Sequence, residues 1–141
     1  MDSELQRTCP CGTGKLYQAC CYPIHRGAVA DSAETVMRAR YAAFAVGRVA
    51  YLVKSTHPTG SHFRTDQAAW RRDLNQSCQQ LSFMKLAVMR VEDGDSAEIA
   101  FVTFRATVFH GKQDRSFQER SEFRRIGKRW LYYDGVGTDL T

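Results

Sequence analysis

Four of the five cysteines fall within thirteen residues, at Cys9, Cys11, Cys20 and Cys21, ahead of 120 further residues. A chain of that length builds its own hydrophobic core, so it does not need the disulfide staples that hold small secreted domains together. The spacing C-x-C-x8-C-C instead gathers four soft donors into one short loop. A closed set of four thiolates suits a tetrahedral structural zinc site, and iron accepts the same ligands. Gly12 and Gly14 let the backbone turn sharply after the first pair and can aim amides at the thiolates, while Tyr17 can pack the small knuckle. The C-x-x-C of a redox pair and the C-x-x-C-H of haem attachment are absent, and Gly14-Lys15 lacks the remainder of a phosphate loop. With four cysteines available, His25 is expected at the surface rather than on the metal. Cys78 falls on the apolar side of a helical segment and is expected in the core.

The N-terminal residues, MDSELQRTCPCG, have no basic segment followed by an apolar one, so no secretory signal is expected. No apolar run reaches the eighteen residues of a membrane-spanning helix. A reducing cytoplasm, where thiols stay available to a metal, is the expected compartment.

The character of the chain changes near residue 30. Residues 1–30 form the expected knuckle, with two of the three prolines, and residues 31–141 the expected α+β domain. Asp31 with Glu34 reads as a capping box, followed by Met37, Tyr41 and Phe44 at helical spacing up to Gly47. A short helix through Val49, Leu52 and Val53 ends before His57-Pro58, and a third carries Trp70, Leu74, Cys78 and Leu81 on one face after a Thr65 cap. Beyond Leu81 the period shortens to two. Segments 83–92, 96–109, 114–125 and 129–134 are separated by Asp93-Gly94-Asp95, His110-Gly111-Lys112 and Ile126-Gly127-Lys128, three hairpin signals. Three helices followed by four antiparallel strands predict helices packed on one face of a curved sheet.

The run CPCGTGKLYQACC resembles the SEC-C motif, a short metal-binding module of bacterial proteins, with Thr13 where the motif usually has serine. The resemblance implies Zn2+ held by Cys9, Cys11, Cys20 and Cys21. RARYAAF at 38–44, His57-Pro58, Glu119-Arg120-Ser121 and Trp130 through Gly135 extend the likeness over almost the whole chain to the YchJ-like family of uncharacterised bacterial proteins. This implies a nuclear transport factor 2-like cone, a bent sheet wrapped around helices, but no particular reaction. Some members carry a second SEC-C motif at the C-terminus, and this sequence ends at Thr141 without one.

Strand alternation locates a candidate pocket. A two-residue turn at Gly111-Lys112 sets Phe117 opposite Ala106, Glu119 opposite Phe104 and Phe123 opposite Ala100, which puts the apolar set Ala100, Val102, Phe104, Ala106 and Val108 on the inner face. The same reasoning at Gly127-Lys128 sets Tyr132 opposite Phe123 and Asp134 opposite Ser121. Glu119, Ser121, Tyr132 and Asp134 then share the concave face, where a carboxylate is costly unless it is paired or protonated. One reading is a small-molecule pocket in which Glu119 or Asp134 moves a proton, helped by Tyr41, His57 or His62 from the helical side. The other has Glu119 accepting structural hydrogen bonds, Asp134 capping the last strand and His57 shaping a helix end.

Lysine and arginine number 20 against 15 acids, a formal +5, and residues 112–129 hold seven bases and three acids. Their alternation puts Arg120 and Arg124 on the outer sheet face, without interleaved aromatics for stacking bases. A solvated face is expected there. Contact with ribosomal RNA or another acidic partner is the secondary reading, and no specific DNA binding is expected. The expected function is a zinc-binding adaptor or binding module whose cone takes a ligand or protein partner. The alternative is a small isomerase, dehydratase or hydrolase acting through Glu119 and Asp134.

Overall fold

The computed structural model describes residues 3–138. It is an α+β arrangement of the predicted kind: a short N-terminal knuckle, a helical layer and one antiparallel sheet. Helix α1 spans Cys21–His25, α2 Ala33–Val46, α3 Val49–Lys54 and α4 Gln67–Gln80. The strands are β1 Ser82–Asp93, β2 Ile99–His110, β3 Gln113–Asp114, β4 Phe117–Ile126 and β5 Arg129–Thr138, in the order β1-β2-β4-β5 with the short β3 on β2. No helix among the described residues is long and apolar enough to cross a membrane.

Helix starts lie one residue from those expected, because neighbouring side chains compete for the cap. Ser32, not Asp31, accepts from the Thr35 amide at α2, leaving Asp31 to accept from the Thr35 hydroxyl. Glu34 pairs with Arg38 instead of closing a box. Asp66, not Thr65, caps α4 through the Ala69 amide. Gly47 ends α2 in the left-handed conformation, φ 80°, where a side chain would be strained.

The β2–β4 register is the expected one: Ala106 faces Phe117, Phe104 faces Glu119 and Ala100 faces Phe123. Ala100, Val102, Phe104, Ala106 and Val108 are all buried and form the sheet's half of the core, against Val36, Met37 and Tyr41 of α2. The first hairpin departs from expectation. Gly94 donates to the carbonyl of Ile99 across a loop that occupies 94–98, so β2 starts three residues later than predicted. Cys78 is half-buried on the flank of α4 rather than in the core, and burial raises its thiol pKa.

Candidate metal centre and cone cavity

The knuckle turns on itself so that all four cysteine sulfurs lie within 4.8 Å of one another. Cys11 Sγ and Cys20 Sγ are 3.5 Å apart, close to the edge of about 3.8 Å that four thiolates form around zinc at about 2.3 Å. The donor set fits a structural ion: Cys9, Cys11 and Cys21 are buried, Cys20 is half-buried, and none forms a disulfide. Hydrogen bonds from Cys21 and Cys9 hold the Cys11 thiol pKa far below its usual range, and Cys11 in turn raises that of Cys9 to about 11. The amides of Cys11 and Cys21 point at the Cys9 sulfur, and that of Thr13 at Cys11. Gly12 and Gly14, with φ of 89° and 86°, make the turn that aims them. The Thr13 hydroxyl lies 3.2 Å from Cys20 Sγ, at a residue where the SEC-C pattern usually has another hydroxyl.

Three contacts anchor the knuckle to α2 and β1. Arg38 Nη1 donates to the Cys11 carbonyl at 2.7 Å. His25 is not a surface residue: Nε2 donates to the Ala39 carbonyl at 2.7 Å, and Nδ1 accepts from the Tyr17 hydroxyl at 2.6 Å. Because a carbonyl only accepts, Nε2 carries a proton, and burial, which lowers the ring's pKa, favours the neutral Nε2–H tautomer with Nδ1 as acceptor. Tyr17 is fully buried in an apolar cluster with Cys9, Cys11, Cys21, Ala39 and Ala42. Gly12 provides the third contact, since a Cβ there would sit 3.2 Å from the Leu86 carbonyl of β1.

Between the helices and the concave face of the sheet lies a cavity of about 270 Å³. Met37, Phe44, Phe83, Phe104, Phe117 and Phe123 make its walls apolar. Its polar end is built around Glu119, whose Oε2 accepts from Ser121 Oγ at 2.6 Å and from the Tyr132 hydroxyl at 3.1 Å. Gly135 makes room for this carboxylate, because a Cβ there would overlap it. Arg40 reaches the same chamber from α2. Its Nη1 donates to the Leu52 carbonyl, Ser55 Oγ and Thr56 Oγ1, and its guanidinium lies 4.5 Å over the Tyr132 ring. Burial pulls the Arg40 pKa down, and the charges of Tyr132, Tyr51 and Glu119 oppose that fall. The buried Tyr41 hydroxyl has no well-formed hydrogen bond among the described residues, and burial raises its pKa to about 12.

Residues 32–135 match the family described as YchJ, middle NTF2-like domain, and residues 8–23 match the SEC-C motif. The chain belongs to the YchJ family. A UPF0225 protein of Sodalis glossinidius is 34% identical over 134 residues, covering 93% of this chain and 84% of its own length. A UPF0225 protein of Streptomyces coelicolor is 38% identical over 133 residues, covering 93% and 96%. Among solved structures, a SEC-C motif containing protein from Psychrobacter arcticus superposes with a TM-score of 0.81 at 25% identity, over 99% of this chain and 88% of that one. Another, from Rhodopseudomonas palustris, gives 0.75 at 29% identity, over 94% and 100%. The YchJ family thus combines a four-cysteine motif that could hold a metal ion with an NTF2-like α+β domain.

In this YchJ chain the predicted pocket residues divide into two groups. Tyr41, His62, Glu119, Ser121 and Tyr132 line the cavity, His62 from an exposed position at its rim with its ring 5.3 Å from that of Tyr132. Asp134 and His57 do not line it. Tyr132 faces Phe123 as expected, but Asp134 pairs with Glu122, leaving Tyr133 as the unpaired residue of a β-bulge. One inserted residue reverses the parity of everything after it, so Asp134 turns to the outer face and Gly135 takes the inner position beside Ser121. There the Asp134 carboxylate accepts from Ser61 Oγ at 2.7 Å and from the Gly135 amide, and the Ser61 bond lowers its pKa. His57 Nδ1 accepts from the Thr59 amide and the ring packs edge-on against Tyr133, shaping the turn after α3. Arg40 is the cavity residue that was not anticipated. Its signal was legible, because positions 37, 40, 41 and 44 share one helical face and an arginine stands among apolar neighbours.

Proposed function

We propose that the cone binds a small ligand with an apolar body and a hydrogen-bond donor, and that the knuckle is a Zn2+-loaded structural module bracing α2. One observation carries the ligand reading: the Glu119 carboxylate sits in an apolar chamber, held by two hydroxyls over a glycine that leaves space for it. Its Oε1 has no hydrogen bond from the described residues, so it is available to a ligand donor. A buried carboxylate is costly without such partners. The structural role of the metal rests on the burial of its ligands and on the docking of the knuckle through Tyr17, His25 and Arg38. Reduced thiolates fit a cytoplasmic protein.

The ligand reading is tested by an NMR screen of aromatic amine and amide fragments against wild type and a cavity-filling Ser77→Trp variant. Binders that shift Ser121 and Tyr132 in wild type, and fail to do so in the variant, support it. Fragments that shift neither residue, or that bind the filled variant equally, overturn it. Elemental analysis of protein purified without added metal is expected to give about one zinc per chain. Near-zero metal overturns the site, and iron changes the ion while leaving the ligands.

A second reading, an isomerase, dehydratase or hydrolase, is favoured by the free Oε1 of Glu119, which could accept a proton. It now rests on Glu119 alone, with Tyr132 and Ser121 orienting it, because Asp134 lies on the other face. Glu119→Gln separates the two readings: turnover without change in affinity is lost in the second, whereas affinity itself falls in the first.

A further inference from the structure

Three arginines of the basic run at 112–129 are neutralised by nearby carboxylates. Arg120, Arg124 and Arg125 pair with Glu92, Glu122 and Glu98 at 3.3, 2.6 and 3.2 Å. Each also covers a ring, those of Phe101, Tyr133 and Trp130 respectively. A second group of arginines converges elsewhere. A surface hollow of about 780 Å³ is lined by Arg26 from the end of α1, Arg48 from the α2–α3 turn, and Arg71, Arg72 and Asn75 from α4. No carboxylate among the described residues lines it. Arg48 is paired with Glu4 at 2.6 Å, so the unpaired charges of the hollow are those of Arg26, Arg71 and Arg72; Asp73, beside Arg72, is taken by Arg64 at 2.7 Å. Arg71 and Arg72 are exposed and have no hydrogen bond or ion pair among the described residues. Among the described residues, the only hydrogen bond from the Arg26 guanidinium goes to the Tyr22 hydroxyl, at 2.8 Å, with the group 5.6 Å from the centre of the Tyr22 ring.

We propose that this hollow binds a run of phosphate groups, either as a free polyphosphate or as the backbone of a single-stranded nucleic acid. Three chain segments bring guanidiniums to one concave surface, where like charges raise the local potential and attract anions. All four bases are arginines, whose planar fork matches phosphate bidentately, and one phosphate offers oxygens to two forks at once. The hydrogen bond to the Tyr22 hydroxyl holds the Arg26 group before any ligand arrives, which lowers the ordering cost of binding.

The test is titration of the metal-loaded protein with inorganic tripolyphosphate and, separately, with a labelled twelve-nucleotide single-stranded RNA, at low and at physiological salt. The expected result is saturable binding that weakens with salt and falls at least about tenfold in Arg71→Gln/Arg72→Gln. Arg120→Gln/Arg125→Gln removes the same net charge from the paired outer face and should leave binding unchanged. Should the α4 variant fold poorly by circular dichroism or metal content, Arg26→Gln replaces it with the same expectation. RNA binding more tightly than tripolyphosphate identifies a nucleic-acid backbone, and the reverse identifies a free polyphosphate. Absence of binding to both probes, equal weakening by the outer-face variant, or equal binding of a poly-glutamate peptide overturns the proposal.

Discussion

Arg38 donates from Nη1 to the carbonyl oxygen of Cys11 at 2.7 Å, so a residue in the middle of α2 holds the backbone between two metal-ligand candidates. The same guanidinium pairs through Nε with Glu34 one turn earlier. Ala39, the next residue, accepts from His25, while Arg40 and Tyr41 line the cavity. Four consecutive residues of one helix therefore touch the knuckle and the cone chamber in turn.

Replacing Arg38 with Met keeps most of the aliphatic stem and leaves the Cys11 carbonyl without this donor. The expected cost is about 1–3 kcal/mol, the range for an unsatisfied buried acceptor. Urea denaturation at constant m-value measures it, and metal release to a chelator should quicken in parallel. An unchanged midpoint with unchanged release would show that the contact contributes nothing.

Gly135→Ala should force the Glu119 carboxylate away from Ser121 and Tyr132, at about 1–3 kcal/mol for overpacking. Combining it with Glu119→Ala removes the clashing group, so the two costs should be strongly non-additive. Additive costs in the double-mutant cycle would contradict the observed packing.

His25 predicts a pH dependence. Burial lowers its pKa from the ordinary 6.5, outweighing its bond to the Ala39 carbonyl, which pulls upward. The unfolded chain therefore takes up the proton first as pH falls. Stability from this residue is full above about 6.5 and declines as pH drops through the lower folded value. His25→Gln keeps a donor for Ala39 without a titrating ring, so its denaturation midpoint should change less than that of wild type between pH 7 and 5.5. Parallel profiles would be inconsistent with a neutral, docked His25.

Removing the metal under reducing conditions should loosen the knuckle before the sheet. Hydrogen exchange is expected to rise at the amides of residues 9–21 and around Ala39 and Ala42, which share its apolar cluster, and to stay low in β2. Uniform exchange across the chain after chelation would mean that the knuckle and cone unfold as one unit.

Much of the architecture was legible because its signals are local. The C-x-C-x8-C-C spacing pointed to the sulfurs that the fold brings together, and alternation through Ala100 to Val108 predicted the inner face of β2. Two-residue turns carrying Gly111 and Gly127 anticipated the β2–β4 register and the Tyr132–Phe123 pair. Asp134 was misplaced because a bulge has no sequence marker as clear as a turn, and one extra residue changes every later side chain's face. The charge count was similarly silent about neutralisation: Arg120 and Arg125 of the dense run at 112–129 find Glu92 and Glu98 across strands, while scattered Arg26, Arg71 and Arg72 converge unpaired.

The sequence by itself determined the thiol donors that could hold a metal, the α+β class and the alternation that buries one face of β2, since these follow from side-chain chemistry and backbone period. Only the tertiary structure decided that His25 is a half-buried strut, that Arg40 shares a chamber with Glu119, and that Asp134 does not. Those outcomes depend on contacts between residues far apart in the chain, where a single-residue shift in pairing is enough to exchange inside for outside.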